Sequence, residues 1–219
     1  MKLWHCKGAR SLRALWALEE MGLPYEVCVM KFPPRVFEPD YLKVNALGTI
    51  PYLEDGATRM TESSGICHYL VERYARHDFG LRPDHPEYGA YLNWLYHSDA
   101  TLTFPQTIAL RYFTLEPTPE KQPVGVDYGK WFFARLRMLD AHLAEHEWLV
   151  DGRFTIADIA VGYALILAES LDLGAKVGRA FQPQTADYLA RLKARPAYQR
   201  ADAIDRDTIS DGTAPETIA

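Results

Sequence analysis

Two periodicities divide the chain. In the first 77 residues short apolar runs alternate with a helical repeat: "MKLWHC" and "YEVCVM" read as buried strands, and "SLRALWALEEMGL" between them, apolar at 12, 15, 16 and 18, reads as an amphipathic helix stopped by Gly22 and Pro24. The Pro-rich "KFPPRVFEPD" leads to a short helix near residues 40–45. "PYLE" and "TRMT", joined by a turn at Asp55-Gly56, predict a hairpin, and a second long helix runs from Ser63 to about Arg76.

From about residue 86 the strand signals stop. Helical patterns cover roughly 86–112, 125–147, 155–172 and 183–194, with "EPTPEKQPVG" as a loop. The expected organisation is therefore an α/β domain over 1–77, a linker over 78–85, an all-helical domain over 86–204 and a polar, acidic tail over 205–219. "FTIADIA" carries a folding signal: Thr155 as N-cap and Asp158 three residues on make a capping-box-like pair, with Phe154 and Ile159 placed as a hydrophobic staple.

With 219 residues, 48% hydrophobic and 24% charged, the chain can bury a sizeable core. The net charge of -5 is uneven: residues 1–77 carry 10 Lys+Arg against 9 Asp+Glu, the remainder 14 against 20. Neither part invites nucleic acid or an anionic membrane. No apolar run approaches the roughly 18–20 residues of a membrane helix, and "MKLWHCKGAR" lacks the apolar stretch of a signal peptide, so a cytoplasmic location is expected. Cys6, Cys28 and Cys67 form no CxxC pair, which argues against a disulfide scaffold or a thiolate zinc site. His142 and His146 have the four-residue spacing of two helical metal ligands but no third partner in sequence, and no metal is expected.

"NALGTIPYLEDGATRMTESSGI", residues 45–66, holds the candidate chemistry. A proline inside a sheet belongs at an edge or at a strand's first residue, so Pro51 leaves the backbone of Ile50 free for an extended peptide to pair with, or is an ordinary trans loop-to-strand proline. Ser63 stands where a helix N-cap is expected. The N–H groups there suit a carboxylate and Glu62 suits an ammonium, the two charges of one amino-acid end; a plain cap is the other reading.

The strand-helix-strand start, "NALGTIPYL", "ESSGICHYL" and "FTIADIAVGYAL", in that order, resemble the cytosolic glutathione transferases, and the first 26 residues resemble the bacterial beta-type branch and related serine-type proteins. The resemblance implies a thioredoxin-like N-terminal domain and an all-helical C-terminal domain. It also implies a cis Pro51 that turns the Ile50 backbone toward the cysteinyl group of glutathione, with Glu62 and Ser63 gripping the γ-glutamyl end. Glutathione is then the co-substrate, and a homodimer is expected in which Asp99 reaches the γ-glutamyl ammonium across the interface. Tyr96, Phe104 and Tyr112 would line the pocket of a hydrophobic electrophile.

Attack by glutathione requires its thiolate, and a thiol of pKa near 8.5 is only a few per cent ionised at pH 7. Ser11, at the start of the first helix, is the expected hydrogen-bond donor to the sulfur, or else a simple N-cap. Cys6 at the strand end is the rival, as nucleophile or as a small buried hydrophobe. Arg10 stands where the beta-type branch has its cysteine; it is a possible electrostatic support, or a solvated turn residue. The expected reaction is conjugation to a small electrophile. The alternatives are another glutathione-dependent enzyme on this fold (isomerase, dehalogenase, peroxidase or disulfide reductase) and a non-catalytic binding module.

Overall fold

The computed structural model describes residues 1–207 and places them in two compact units. The first is built on a four-stranded sheet of order β2-β1-β3-β4. Strand β1 (Lys2–His5) is central, pairing in parallel with β2 (Glu26–Val29) and antiparallel with β3 (Tyr52–Asp55), which pairs in turn with β4 (Thr58–Met60). Leu3 faces both Val27 and Leu53 in the register. The parallel pair needs a crossover, supplied by helix α1 (Ser11–Met21), which ends on Gly22 in the left-handed conformation that glycine adopts without a Cβ clash. The short α2 (Pro34–Phe37) and a 3-10 turn at Pro39–Lys43 precede β3, and α3 (Ser63–Arg73) follows the hairpin. Strand β2 departs from expectation. It is the sheet edge, with Glu26 and Val29 exposed, so its apolar run is only half covered.

The second unit is helical from Leu81 to Leu192. The segment expected as one helix over 86–112 is α4 (Tyr88–His97), a π turn (Ser98–Thr103), α5 (Phe104–Leu110) and a further π turn (Arg111–Leu115). Pro105 in the first turn of α5 has no N–H for the helical ladder, and the wider turn before it accommodates the break. Gln106 Nε2 then ties α5 inward, donating to Leu102 O at 3.0 Å and Ala164 O at 2.8 Å. Helices α6 (Gln122–Arg135) and α7 (Arg137–Leu143) replace the single helix expected over 125–147, followed by α8 (Ile156–Ser170), α9 (Leu173–Val177) and α10 (Pro183–Lys193).

Helix α8 is buried almost throughout, and its start is built as the sequence predicts. Thr155 Oγ1 accepts from Ala157 N at 3.2 Å while Asp158 Oδ2 accepts from Thr155 N at 2.8 Å. Asp158 Oδ1 also accepts from Leu149 N at 3.2 Å and the Tyr188 hydroxyl at 2.8 Å, so one carboxylate joins the loop before α8 to α10.

The last described helix, α11 (Pro196–Asp207), groups with the first unit, not with the helical one. It packs along α1, with Trp16 edge-on to Tyr198 at 4.9 Å. Arg195 forks onto Glu20 at 2.6 and 2.9 Å, and Arg200 meets Glu19 at 2.7 Å. The expected boundary at 204 thus falls inside a helix. Of the expected tail, residues 205–207 are its last turn and 208–219 lie outside the described residues.

Burial pushes the Asp158 carboxyl from its ordinary 3.8 up to about 6, against the four hydrogen bonds that favour its charge. A folded-state value above the unfolded one makes this group's stabilisation full below the ordinary value and lost as pH rises through about 6. Asp158→Ala should remove that decline and lower stability by roughly 2–4 kcal/mol, since two backbone N–H groups and a buried hydroxyl lose their acceptor. Urea denaturation at a series of pH values checks both.

Candidate functional site

Because the hairpin and the start of α3 follow one another, residues 45–66 form a continuous border of the first unit. Before β3, Tyr41 and Asn45 fix the approach: the Tyr41 hydroxyl and Asn45 Nδ2 both donate to Thr49 O, at 2.8 and 2.9 Å. The Ile50-Pro51 peptide is cis, and Pro51 is buried immediately before the first residue of β3. Among the described residues Ile50 takes no part in the loop backbone hydrogen bonds, and the β1–β3 register begins at Tyr52. Its peptide groups remain available to a partner.

Helix α3 begins differently from expectation. Its N-cap is Glu62 in an extended conformation, exposed, and Ser63 is the first helical residue. The Ser63 side chain does not cap. Its Oγ accepts a hydrogen bond from Arg13 Nη1 at 3.0 Å, and both residues are buried. An accepting hydroxyl keeps its own proton for another acceptor. The first helical bond is Ile66 N to Glu62 O, so the N–H groups before it stand outside the ladder and, with the buried guanidinium behind them, make an environment for an anion. Arg13 was not singled out from the sequence. The signal available was a charged residue between the apolar positions 12 and 15 of a helix that turns out to have no solvent face there.

Ser11 is likewise the first residue of its helix, not the cap, which is Arg10. The Ser11 hydroxyl is fully buried, 2.8 Å from His5 Nδ1, and accepts from Cys6 N at 3.4 Å. It is therefore already engaged inside the unit. Arg10, half-buried at the N-terminus of α1, is the cation at that end.

Cys6 is fully buried in a cluster with Trp4, Met30, Tyr41 and Tyr52, against which Ala9 and Ile50 pack. Burial, then the nearby Glu38 charge, pushes its thiol up to about 12, and it donates to Lys31 O at 3.7 Å. At neutral pH it is a protonated thiol and a packing residue.

In the second unit Asp99 lies half-buried in the π turn after α4. Tyr96 is 63% exposed and Phe104 47%, while Tyr112 is half-buried. Phe104 meets Tyr128 edge-on at 6.3 Å, and Tyr112 sits under the Lys121 ammonium at 5.7 Å, so the two rings have separate partners. His142 and His146 stack at 4.3 Å with their nitrogens on the carbonyls of Trp148 and His142. Among the described residues no helix is long and apolar enough to cross a membrane.

A mixed four-stranded sheet flanked by helices, then an all-helical unit, defines the class: a thioredoxin-like domain followed in sequence by a helical one. Family models described as "Glutathione S-transferase, N-terminal domain" and "Glutathione S-transferase, C-terminal domain" match residues 9–73 and 132–196, together more than half of the sequence, and the chain belongs to the glutathione S-transferase family. It is 29% identical over 181 residues to Glutathione S-transferase 3 of Schizosaccharomyces pombe, covering 76% of this chain and 74% of that protein. Among solved structures, Ure2p5 from Phanerochaete chrysosporium, cocrystallized with 1-(S-glutathionyl)-2,4-dinitrobenzene, superposes with a TM-score of 0.82 at 22% identity, over 97% of each chain. The bacterial beta class glutathione S-transferase of Sphingomonas chungbukensis gives 0.77 at 23% identity, over 94% of this chain and 98% of that one. These two likenesses show the fold.

The protonated, enclosed Cys6 should resist alkylation in the native protein near neutral pH, whereas the half-exposed Cys28 reacts. Peptide mass spectrometry after iodoacetamide treatment reads this directly, and Cys6 labelled as fast as Cys28 would contradict its burial.

Proposed function

We propose that this protein binds glutathione on its first unit and transfers the thiolate to a small electrophile. What carries the reading is the pairing, in a member of this family, of free peptide groups at Ile50 with an α3 N-terminus whose Ser63 hydroxyl is held by the buried Arg13. An extended cysteinyl residue pairs with Ile50 beside Pro51. The γ-glutamyl carboxylate takes the Ser63 hydroxyl and the α3 N–H groups, and Glu62 takes the ammonium. The fungal relative's conjugate, a glutathionyl group on an aromatic ring, is a product of the kind proposed.

In the reaction the sulfur forms a bond to the electrophilic carbon, the displaced electron pair leaves with a halide or moves to the oxygen of an opened epoxide or an enolate, where a proton from solvent joins it, and the thiol proton goes to solvent. The Ser11 hydroxyl lies 2.8 Å from His5 Nδ1, so presenting it to the sulfur competes with that contact. Thiolate stabilisation is therefore assigned to the positive end of α1 and to Arg10. A partly buried helix end and one cation contribute about 1–2 kcal/mol, enough to lower a thiol pKa by roughly one unit. Tyr96, Phe104 and Tyr112 offer apolar surface for the electrophile, and a cytoplasmic homodimer with Asp99 reaching the partner's ligand completes the proposal. The engaged Ser11 and protonated Cys6 favour one second reading, a glutathione-binding protein without conjugation.

Calorimetric titration should give glutathione binding in the micromolar to millimolar range, about -4 to -8 kcal/mol. Ser63→Ala should weaken it by ~1–3 kcal/mol through loss of a hydrogen bond to a charged group. Equal affinities would remove Ser63 from the site. Arg10→Ala should lower the conjugation rate near neutral pH by about tenfold and move the apparent pKa of kcat/KM up by about one unit, with affinity nearly unchanged. Binding with no turnover toward any aryl or alkyl halide, epoxide or enone would instead select the second reading.

A sedimentation experiment at micromolar concentration should find about twice the 24.9 kDa chain mass. Asp99→Asn should weaken glutathione binding while leaving that mass unchanged.

A further inference from the structure

The turn between β1 and α1 is closed by a buried polar ring that the proposed reaction does not use. Ala9 N donates to Cys6 O at 3.1 Å, with Gly8 at the third position of this turn and a φ of 66°, the conformation a type II turn requires there. Both flanks of the turn are then tied to one histidine. On one side Cys6 N donates to Ser11 Oγ, which lies 2.8 Å from His5 Nδ1. On the other, Gly8 N donates to Asp205 Oδ1 at 2.9 Å, and the same oxygen is 3.1 Å from His5 Nε2. That nitrogen has no in-line hydrogen-bond partner, so the carboxylate meets it off its axis and the attraction is mainly electrostatic. The Ser11 hydroxyl and the Asp205 carboxylate thus meet the two nitrogens of one imidazole ring. His5 is completely buried and Asp205 nearly so.

Asp205 comes from the last turn of α11, almost two hundred residues along the chain from Gly8. A buried carboxylate at a helix's C-terminal end opposes the helix dipole and costs stability unless something holds it. Here the Gly8 N–H and the His5 ring do so. The turn ends on Ala9, which like Ile50 packs against the cluster around Cys6, and leads into Arg10, which occupies the N-cap position of α1 without a side-chain capping bond. The ring therefore sets the position of the groups nearest the expected place of the ligand sulfur.

We infer that Asp205 and His5 are positioning residues for the thiol site: through Gly8, Ser11 and Cys6 they hold the residue 6–10 turn so that Arg10 and the N-terminus of α1 face the glutathione sulfur. This rests on the glutathione reading above. The C-terminal helix is thus a working part of the first unit's site as well as a cover for α1. The γ-glutamyl grip at Ile50, Glu62 and Ser63 does not pass through the ring, so the two halves of the site respond separately to mutation.

The test compares wild type, Asp205→Ala and Asp205→Asn by glutathione calorimetry, by thermal melting and by titrating the ultraviolet thiolate absorbance of bound glutathione, which needs no electrophile. Asp205→Ala should keep the dissociation constant within about threefold and raise the bound-thiol pKa by about one unit, matched by a roughly tenfold fall in kcat/KM near neutral pH. Asp205→Asn, which retains an acceptor oxygen for Gly8, should recover much of the loss. The charge facing His5 is what it does not restore, so it should keep a smaller but measurable rise in the thiol pKa, which carries the comparison if the alanine variant does not fold. An unchanged thiol titration in both variants, or a fall in melting temperature and affinity without any change in that titration, would reduce the ring to a structural strut and overturn the inference while leaving the glutathione reading intact. A wild-type protein that binds no glutathione would remove both.

Discussion

Helix α1 has no solvent face from Ser11 to Leu18, because α3 packs along it from one direction and α11 from another. Burying a helix all round would be routine if it were apolar, but this one carries Ser11, Arg13 and the Trp16 indole into the interior, and each needs an internal partner. Those partners define the unit. Ser11 is engaged with His5 of β1, Arg13 with Ser63 of α3, and the Trp16 Nε1 donates to Glu20, which also receives Arg195 at the foot of α11. The Cys67 thiol of α3 returns a hydrogen bond to Arg13 O. The polar groups that a buried α1 must satisfy are thus the ones that bring the candidate site residues into position.

The same constraint explains why residues of unequal chemistry occur together. Arg13 at the back of Ser63 supplies positive potential to an α3 N-terminus that already presents unladdered N–H groups, an arrangement for an anion. Around Cys6, by contrast, the environment is aromatic and apolar, and its thiol stays protonated. A bound thiol tripeptide would therefore meet a polar, anion-favouring end at Ser63 and an apolar wall beside Ile50. The cysteine in that wall cannot ionise cheaply, and the Ser11 hydroxyl behind it is in contact with His5.

In the second unit an analogous role falls to Asp158. One carboxylate closes the capping box at the start of α8 and holds both Leu149 and Tyr188, so the most buried helix of the unit is registered against its neighbours by a single charged residue. The exposed aromatics of α4 and α5, Tyr96 and Phe104, lie outside that framework.

Much was legible where the physics is local. The strand-helix-strand start, the hairpin at Gly56, the stop at Gly22 and the Thr155–Asp158 box all depend on residues within a few positions of one another, and all formed as the pattern predicts. Pro51 at the head of a strand was legible for the same reason. The families of "NALGTIPYL" and "ESSGICHYL" were likewise readable as motifs, although the motif did not say what each side chain touches. A serine at a helix start looks like a cap in sequence; whether it caps depends on what else approaches its oxygen. For Ser63 that is Arg13, fifty residues earlier, and for Ser11 it is a histidine on the neighbouring strand. Helix α11 was not expected, since no helical pattern is predicted beyond residue 194 and 205–219 read as a polar tail; only tertiary packing assigned it to α1 and brought Asp205 to Gly8. The local pattern of polar and apolar residues determined the strands, the hairpin and the long helices of the first 77 residues and the capping box of α8; the burial of α1, a property of the assembled unit, decided which internal partners its polar residues take, because a buried polar group must find one.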